Sequence, residues 1–251
     1  MHALTPLLTR RSTSVKDMAE PAPSEAELEQ ILTIATRVPD HGKLAPWRIV
    51  ILRGEGALKL GAIAADVFAK QNPEATEAQI AAEHTRFTRA PLCLAVISTP
   101  KLGTKPLWEQ QLSAGAVCLN ILHAAHALGY GGKWLTEWVA YDDAVLSALL
   151  SSSTLSGEEA RWGADGAQAE INLHLQGGGR PIGAGGGMTE ALDGNGTSYT
   201  VATSNDPHPN PPPFSGREQA RIAGFIYLGS KTAETADRER PELKSVVGEF
   251  R

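Results

Sequence analysis

The sequence predicts a domain in which strands and helices alternate, of the α/β or α+β class. Residues 92–98 (LCLAVIS) form a nearly continuous apolar run bounded by prolines, which is typical of a strand buried on both faces. Residues 222–228 (IAGFIYL) are predicted to form another strand. Residues 109–128 are apolar or small almost all the way round a helix, so this helix belongs in a core or at a subunit interface.

The first helix is predicted at residues 25–37. Ser24 opens a capping box with Glu27, and apolar residues then recur at helical spacing until the turn Pro39-Asp40-His41-Gly42 ends the helix. The same kind of patterning predicts the remaining elements, which are strands at 47–53 and 133–138, helices at 56–70 and 74–88, and a short helix that ends at Leu150.

One segment, residues 152–216, does not fit this pattern. It holds 13 of the 25 glycines and 6 of the 16 prolines, and its hydrophobic periodicity is poor. Glycine loses much entropy when it is ordered, and proline cannot donate a hydrogen bond to a sheet. We therefore predict a flexible Gly/Pro-rich insertion within a single domain made of residues 1–151 and 217–251.

The composition limits the class of protein. Acidic residues outnumber basic ones by 28 to 23, which argues against nucleic-acid binding because that needs a basic face. No stretch approaches the ~20 apolar residues of a membrane span. The N-terminus has no apolar run of the kind found in secretory signals, so we expect a cytoplasmic protein with no membrane partner. Cys93 and Cys118 lie in apolar runs and are expected to be buried, reduced thiols.

Few residues suggest chemistry by themselves. Arg10-Arg11-Ser12 offers guanidinium and hydroxyl donors that suit a phosphate, but such a tripeptide is also typical of a solvated basic turn. His123 and His126 have the spacing to share a metal ion on a helix, but no third ligand is evident, which favours a structural role. No motif of a catalytic nucleophile is present, so we predict no catalytic side chain and no metal site.

Six motifs, taken in order, resemble the nitroreductase family, and within it the small single-domain YdjA-type branch. The resemblance covers residues 1–150 and 217–250 but not the Gly/Pro-rich segment. Each motif alone is unspecific, whereas the ordered set is specific. The motifs are Arg10-Arg11-Ser12, residues 37–42 (RVPDHG), Pro46-Trp47-Arg48, Trp108-Glu109-Gln110 with Ser113-Ala114-Gly115, Gly131-Gly132-Lys133-Trp134, and residues 224–229 (GFIYLG).

The resemblance implies an α+β fold, with a four-stranded antiparallel sheet flanked by helices, in an intertwined homodimer that binds two FMN molecules at its interface. In this branch the Arg-Arg-Ser tripeptide lies against the FMN phosphate and ribityl chain, and the turn histidine reaches the flavin of the other subunit. The implied cofactor-binding residues are Arg10, Arg11, Ser12, Arg37, His41, Trp134, Leu135, Thr136 and, more loosely, Arg240. The implied contact with the nicotinamide cofactor is formed by Ala124, Ala125, His126, Ala127, Leu128 and Gly129.

One position departs from the family pattern. Leu135 stands where the branch has an arginine, so any charge contact made there is lost. Backbone contacts can survive this change, and Thr136 keeps a hydroxyl group.

The activity that the resemblance implies is that of an FMN-dependent oxidoreductase. It would take electrons from NADH or NADPH and pass them to a nitroaromatic or quinone-like acceptor by a ping-pong mechanism, which requires no protein nucleophile. The insertion could block the pocket or disturb the dimer, so the alternative is a flavin-binding protein with little turnover. A third alternative, a binding module without flavin, requires the ordered motif set to be accidental.

Overall fold

The computed structural model describes residues 4–103, 105–151 and 220–250, so the predicted insertion at 152–216 lies outside the described residues. The strands are β1 (Met18–Ala19), β2 (Trp47–Leu52), β3 (Leu92–Ser98), β4 (Gly131–Leu135) and β5 (Arg221–Lys231). The helices are α1 (Thr5–Thr9), α2 (Glu25–Ala35), α3 (Gly54–Gln71), α4 (Glu77–His84), α5 (Leu107–Ala127), α6 (Asp143–Ser151) and α7 (Leu243–Val246). As far as the structure describes the chain, none of these helices has the length and apolarity needed to cross a membrane.

The strand β5 lies in the middle of an antiparallel sheet. It pairs with β3 on one side and with β4 on the other, so that Tyr227 faces both Cys93 and Lys133. The strand β2 extends the sheet beyond β3, and the two-residue β1 pairs with the end of β5. The four-stranded antiparallel sheet expected from the resemblance is confirmed, with β1 as a short addition.

The sheet separates two apolar cores, one on each of its faces. All seven residues of β3 are buried. Its side chains at 93, 95 and 97 enter a core shared with α3 and α6, whereas those at 92, 94 and 96 enter a core shared with α2 and α5. Burial on both faces explains why consecutive positions of β3 are apolar.

The helix α2 begins at the predicted capping box. The Ser24 hydroxyl accepts a hydrogen bond from the Glu27 N–H at 3.3 Å, and the Glu27 carboxylate accepts one from the Ser24 N–H at 2.9 Å. The buried residues Leu28, Ile31 and Ala35 then recur at helical spacing. The helix ends at Ala35, two residues before the predicted end.

Other boundaries were predicted less well. The strand predicted at 133–138 lies at Gly131–Leu135, because its two leading glycines carry no side chain that could show alternation. The helix predicted at 74–88 is α4, followed by a 3₁₀ turn at Arg86–Thr88. The sequence did not predict α1, β1 or α7, since elements of two to five residues are too short to show a period.

Both cysteines are buried and unpaired, as predicted. Burial raises the pKa of the Cys118 thiol to about 12, and burial also raises the pKa of the Cys93 thiol. Both thiols therefore stay protonated at neutral pH, which makes them core side chains rather than nucleophiles.

The helices α3 and α4 touch at a glycine. A β-carbon at Gly61 would lie 2.0 Å from the carbonyl oxygen of His84, far inside van der Waals contact. We expect Gly61→Ala to push the two helices apart and to lower the free energy of unfolding by about 1–3 kcal/mol.

The matched control is Gly56→Ala in the same helix, where an added β-carbon meets no heavy atom within 4 Å. This change should raise the free energy of unfolding by about 0.5 kcal/mol, because alanine restricts the unfolded chain. Denaturant unfolding of both variants checks the pair. A similar stability change in the two variants would contradict the close packing of α3 against α4.

Candidate functional site

The segment that follows α1 runs along the outer edge of β4. The Thr13 N–H donates a hydrogen bond to the carbonyl oxygen of Gly132 at 3.0 Å, and Thr13 is only 2% exposed. Two residues later, Val15 packs into the core at the start of a 3₁₀ turn. The predicted phosphate-binding residues Arg10, Arg11 and Ser12 therefore lie at a defined place beside the sheet.

Arg10 belongs to a cluster of four arginines, in which Arg10 and Arg11 are half-buried while Arg238 and Arg240 are exposed. The Nη1 atom of Arg10 is buried and has no hydrogen-bond partner among the described residues. The pKa of Arg10 is lowered, first by burial and then by the positive charges of Arg240, Arg11 and Arg238. A buried donor without an acceptor and a gathering of like charges are both unfavourable, so the cluster suits an anion with several acceptor oxygens.

The other residues of the predicted phosphate site have different surroundings. The Arg11 Nε donates to the carbonyl oxygen of Ala236 at 3.1 Å and lies 3.8 Å from the Asp237 carboxylate. Ser12 and Arg240 are exposed. The structure thus brings together three predicted residues, Arg10, Arg11 and Arg240, and adds Arg238. Sequence reasoning missed Arg238 because the stretch around it alternates in charge without a periodic pattern.

Two histidines near the end of α5 lie beside this cluster. Burial and the charge of Arg10 lower the pKa of His123. Burial, followed by the charges of Lys231 and Arg10, lowers the pKa of His126, whose Nε2 lies 3.2 Å from the Thr9 hydroxyl. Both imidazoles are therefore neutral at pH 7 and add no charge to the cluster.

The segment predicted to meet the nicotinamide cofactor begins inside the core. Ala124 and Ala125 are buried between α5 and the sheet. The helix ends where Gly129, with a φ of 94°, donates its N–H to the carbonyl oxygen of His126 at 3.0 Å. A ligand could therefore reach the segment only from His126 onward.

The turn after α2 has a fixed shape. The Asp40 carboxylate accepts hydrogen bonds from the N–H groups of Leu44 at 3.0 Å and Ala45 at 2.8 Å. Ala45 has a φ of 45°, which is unusual for a residue other than glycine. From α5, the Ser113 hydroxyl donates to the carbonyl oxygen of Pro39 at 2.7 Å. The motif residue Ser113 therefore serves to fasten the turn to α5.

The two predicted flavin contacts in this region remain accessible. The His41 Nδ1 lies 2.6 Å from the Glu109 carboxylate, and the two side chains are 53% and 48% exposed. Arg37 is exposed, and its carbonyl oxygen accepts a hydrogen bond from the Asn120 side chain at 3.3 Å. Within the described part of the chain, the Arg37 guanidinium has no partner.

The helix α5 separates His41 from the arginine cluster. His41 is bonded to Glu109 near the start of α5, whereas Arg10 lies beside His123 near its end. A helix rises 1.5 Å per residue, so positions 109 and 123 are about 21 Å apart along the axis. Arg10 and His41 of one chain therefore do not form a compact site together.

A cleft of about 480 Å³ lies between the segment after Arg-Arg-Ser and the outer strand of the sheet. Its lining residues are Ser14, Val15, Lys16, Arg89, Lys133, Leu135 and Glu137. Of the predicted flavin-lining trio, Leu135 faces this cleft and Thr136 follows it, half-buried. Along the chain, the cleft begins at Ser14, two residues after Ser12 of the tripeptide.

Trp134 points to the opposite face of β4. Its indole N–H donates to the carbonyl oxygen of Ala223 at 2.9 Å. A β-carbon at Gly224 would lie 1.9 Å from this indole nitrogen, so the motif glycine makes room for the ring. The strand thus presents Trp134 away from the cleft and its neighbour Leu135 towards it.

Glu137, two residues after the end of β4, has a strained backbone conformation. It has a φ of 53°, and its carboxylate contacts Arg86 and, at 3.0 Å, the Nη2 of Arg89. Arg86 is also paired with Glu83, and these two side chains are only 10% and 9% exposed. The two arginines fix the backbone immediately after Thr136 and compensate the charge of Glu137. Sequence reasoning missed Glu137, whose partners lie about fifty residues earlier in the chain.

Comparison with known proteins relates this geometry to one family. The model of the nitroreductase family matches residues 7–153. The protein YdjA of Escherichia coli K12, named as a proposed NAD(P)H nitroreductase, is 38% identical over 141 residues, which are 53% of this chain and 72% of YdjA. A protein of Haemophilus influenzae with a similar name is 34% identical over 142 residues, which are 55% of this chain and 75% of that protein.

Solved structures share the fold. A nitroreductase-like family protein from Bacillus cereus superposes with a TM-score of 0.60 at 14% identity, covering 100% of this chain and 97% of that one. A nitroreductase with bound FMN from Bacteroides fragilis superposes with a TM-score of 0.57 at 15% identity, covering 100% of both chains. With its matching sequence, antiparallel sheet and flanking helices, this chain belongs to the nitroreductase family.

Proposed function

We propose that this chain is an FMN-dependent oxidoreductase that takes electrons from NADH or NADPH and passes them to a nitroaromatic or quinone-like acceptor by a ping-pong mechanism. The proposal rests mainly on the arginine cluster, in which the buried Nη1 of Arg10 has no partner among the described residues. Membership of the nitroreductase family and the FMN bound to a solved relative support the choice of FMN. A cytoplasmic location is part of the proposal.

The cluster fits the phosphate end of FMN. A phosphate dianion carries several strong acceptor oxygens, and guanidinium groups match them in charge and geometry. Arg10 would donate from its buried Nη1, while Arg11, Arg240 and the Ser12 hydroxyl would complete the ring of donors. The partner that Arg10 lacks within the described residues would then come from the cofactor.

The cleft fits the flavin end of the cofactor. It begins at Ser14, two residues after the tripeptide, and is lined by Leu135 from β4. FMN, when bound, supplies the redox chemistry, since it takes a hydride from the nicotinamide and returns electrons to the acceptor. The chain binds and orients its ligands, and the buried, protonated thiols of Cys93 and Cys118 take no part. An open cleft used in turn by donor and acceptor is consistent with a ping-pong cycle.

We also propose that the site is completed by a second subunit. The helix α5 exposes an apolar stripe in which Trp108, Leu112 and Leu119 are 67%, 53% and 43% exposed. Such a stripe on a central helix is typical of an interface. Because His41 lies far along α5 from Arg10 of the same chain, His41 is better placed to reach the cofactor held by the partner.

The proposed function is tested on the full-length protein incubated with FMN and then freed of unbound cofactor. We expect flavin absorbance bands, and oxidation of NADH or NADPH that accelerates when a quinone is added. A protein that retains no flavin would refute the proposal. Retained flavin without electron transfer to a quinone or a nitroaromatic compound would instead favour the flavin-binding protein with little turnover.

Arg10→Ala should weaken FMN binding. Losing one charge-assisted hydrogen bond costs about 1.5–3 kcal/mol, which corresponds to a roughly ten- to hundredfold higher dissociation constant. Fluorescence titration with FMN measures the effect. The control is Arg53→Ala, which removes an exposed arginine paired with Glu25 and should leave FMN affinity unchanged. Equal affinities in the Arg10→Ala variant and the unmodified protein would remove Arg10 from the site.

Leu112→Glu should separate the dimer and reduce FMN retention, because it places a charge in the apolar stripe of α5. The matched control is Leu58→Glu on α3, since Leu58 is 52% exposed and Leu112 is 53% exposed. Light scattering gives the mass and absorbance gives the bound flavin. An unmodified protein that is monomeric yet saturated with FMN would refute the shared site.

A further inference from the structure

We propose that Lys133 supplies the positive charge that stabilises the reduced flavin in the cleft, in place of the arginine that the family pattern has at position 135. The inference rests on the proposed function, because it concerns the cofactor that this function requires. It assigns a role in tuning the cofactor to a side chain outside the predicted set of binding residues.

The geometry of β4 makes this exchange of positions possible. Side chains two residues apart on a strand point to the same face, and Lys133 and Leu135 both line the cleft. Trp134 lies between them and points to the other face. A cation at position 133 therefore enters the same cleft as a side chain at position 135.

The charges around the cleft leave Lys133 uncompensated. The carboxylate of Glu137 is bound by both Arg86 and Arg89, so it does not pair with a lysine. Tyr227, which faces Lys133 across the sheet, stays neutral because burial raises the pKa of its hydroxyl. In the part of the chain that the structure describes, Lys133 has no carboxylate within ion-pairing distance.

Lys16 also lines the cleft without an ion-pair partner in the described part of the chain, but its charge should act less strongly on a bound ring. Lys16 is exposed, whereas Lys133 is half-buried between the sheet and the segment that passes along its edge. Water screens an exposed charge more strongly than a partly buried one. Lys133 should therefore have a stronger electrostatic effect than Lys16 on a flavin ring bound in the cleft.

A cation beside a flavin stabilises the reduced form more than the oxidised form, because reduction adds electron density to the ring. Lys133 should therefore bind reduced FMN more tightly than it binds oxidised FMN and should raise the midpoint potential of the bound cofactor. The effect concerns the chain's affinity for two states of one ligand, so it can be measured without turnover.

The test compares three variants of the full-length protein, Lys133→Met, Lys133→Met/Leu135→Arg and Lys133→Arg. For Lys133→Met we expect a lower midpoint potential of bound FMN, and a preference for reduced over oxidised FMN that falls roughly three- to tenfold. Lys133→Arg should keep the original potential, since it keeps the charge. The double variant should recover most of the lost potential, because the arginine re-enters the same cleft from position 135.

Lys59→Met is the control for the loss of one lysine. Lys59 is exposed on α3 and pairs with Glu55, so its removal should leave the midpoint potential unchanged. The proposal is overturned if Lys133→Met binds FMN with the original potential, or if Lys16→Met produces the whole shift instead. Failure of the double variant to recover the potential would contradict the shared cleft. Failure of the unmodified protein to bind FMN would refute the proposed function itself, so the two failures are distinguishable.

Discussion

The strand β5 holds the sheet together, because it pairs with β3 on one side and with β4 on the other. In the described residues, β3 and β4 do not pair with each other. At Tyr227 the strand β5 faces Cys93 on one side and Lys133 on the other. The same tyrosine donates to the carbonyl oxygen of Arg86 and accepts a hydrogen bond from Arg89. The central strand therefore also fixes the two arginines that hold Glu137 at the end of β4.

The candidate site depends indirectly on β5, because β5 holds the strand that borders the cleft. Its cleft lies at the outer edge of β4, which is held by β5 on one side and by the segment around Thr13 on the other. The arginine cluster belongs to that segment and to the chain that follows β5. Residues from both ends of the sequence thus meet beside the outer strand, and the helix α5 sets their distance from the turn that carries His41.

Helices and strands that are determined by their own stretch of sequence could be predicted. The capping box of Ser24 and Glu27 defines the start of α2, and burial on both faces makes β3 recognisable by its apolar residues alone. The site was predictable only through an ordered resemblance, because Arg-Arg-Ser by itself is also typical of a solvated turn. The buried Nη1 of Arg10 and the arginines around it support the proposal that the tripeptide binds a phosphate.

Features that arise from distant contacts could not be predicted in this way. The positive φ of Glu137 depends on Arg86 and Arg89, and the gathering of Arg238 with Arg10 depends on the path of the chain after β5. Nor does the sequence show that Lys133 and Leu135 share a cleft, because the other wall of that cleft is formed by Ser14 to Lys16, more than a hundred residues earlier in the chain. Each of these features depends on contacts between segments that are far apart in the sequence, which the pattern within one segment does not encode.

The late position of the central strand has a consequence for biosynthesis. Translation proceeds from the N-terminus, so β3 and β4 leave the ribosome well before β5, and residues 136–220 separate even β4 from β5. Until β5 arrives, one edge of β3 has no partner, and that strand is seven apolar or small residues without a charge. Unpaired segments of this composition promote association between chains. The nascent protein is thus most exposed to aggregation while its last strand is still being made, and this interval is when a chaperone would be of most use to it.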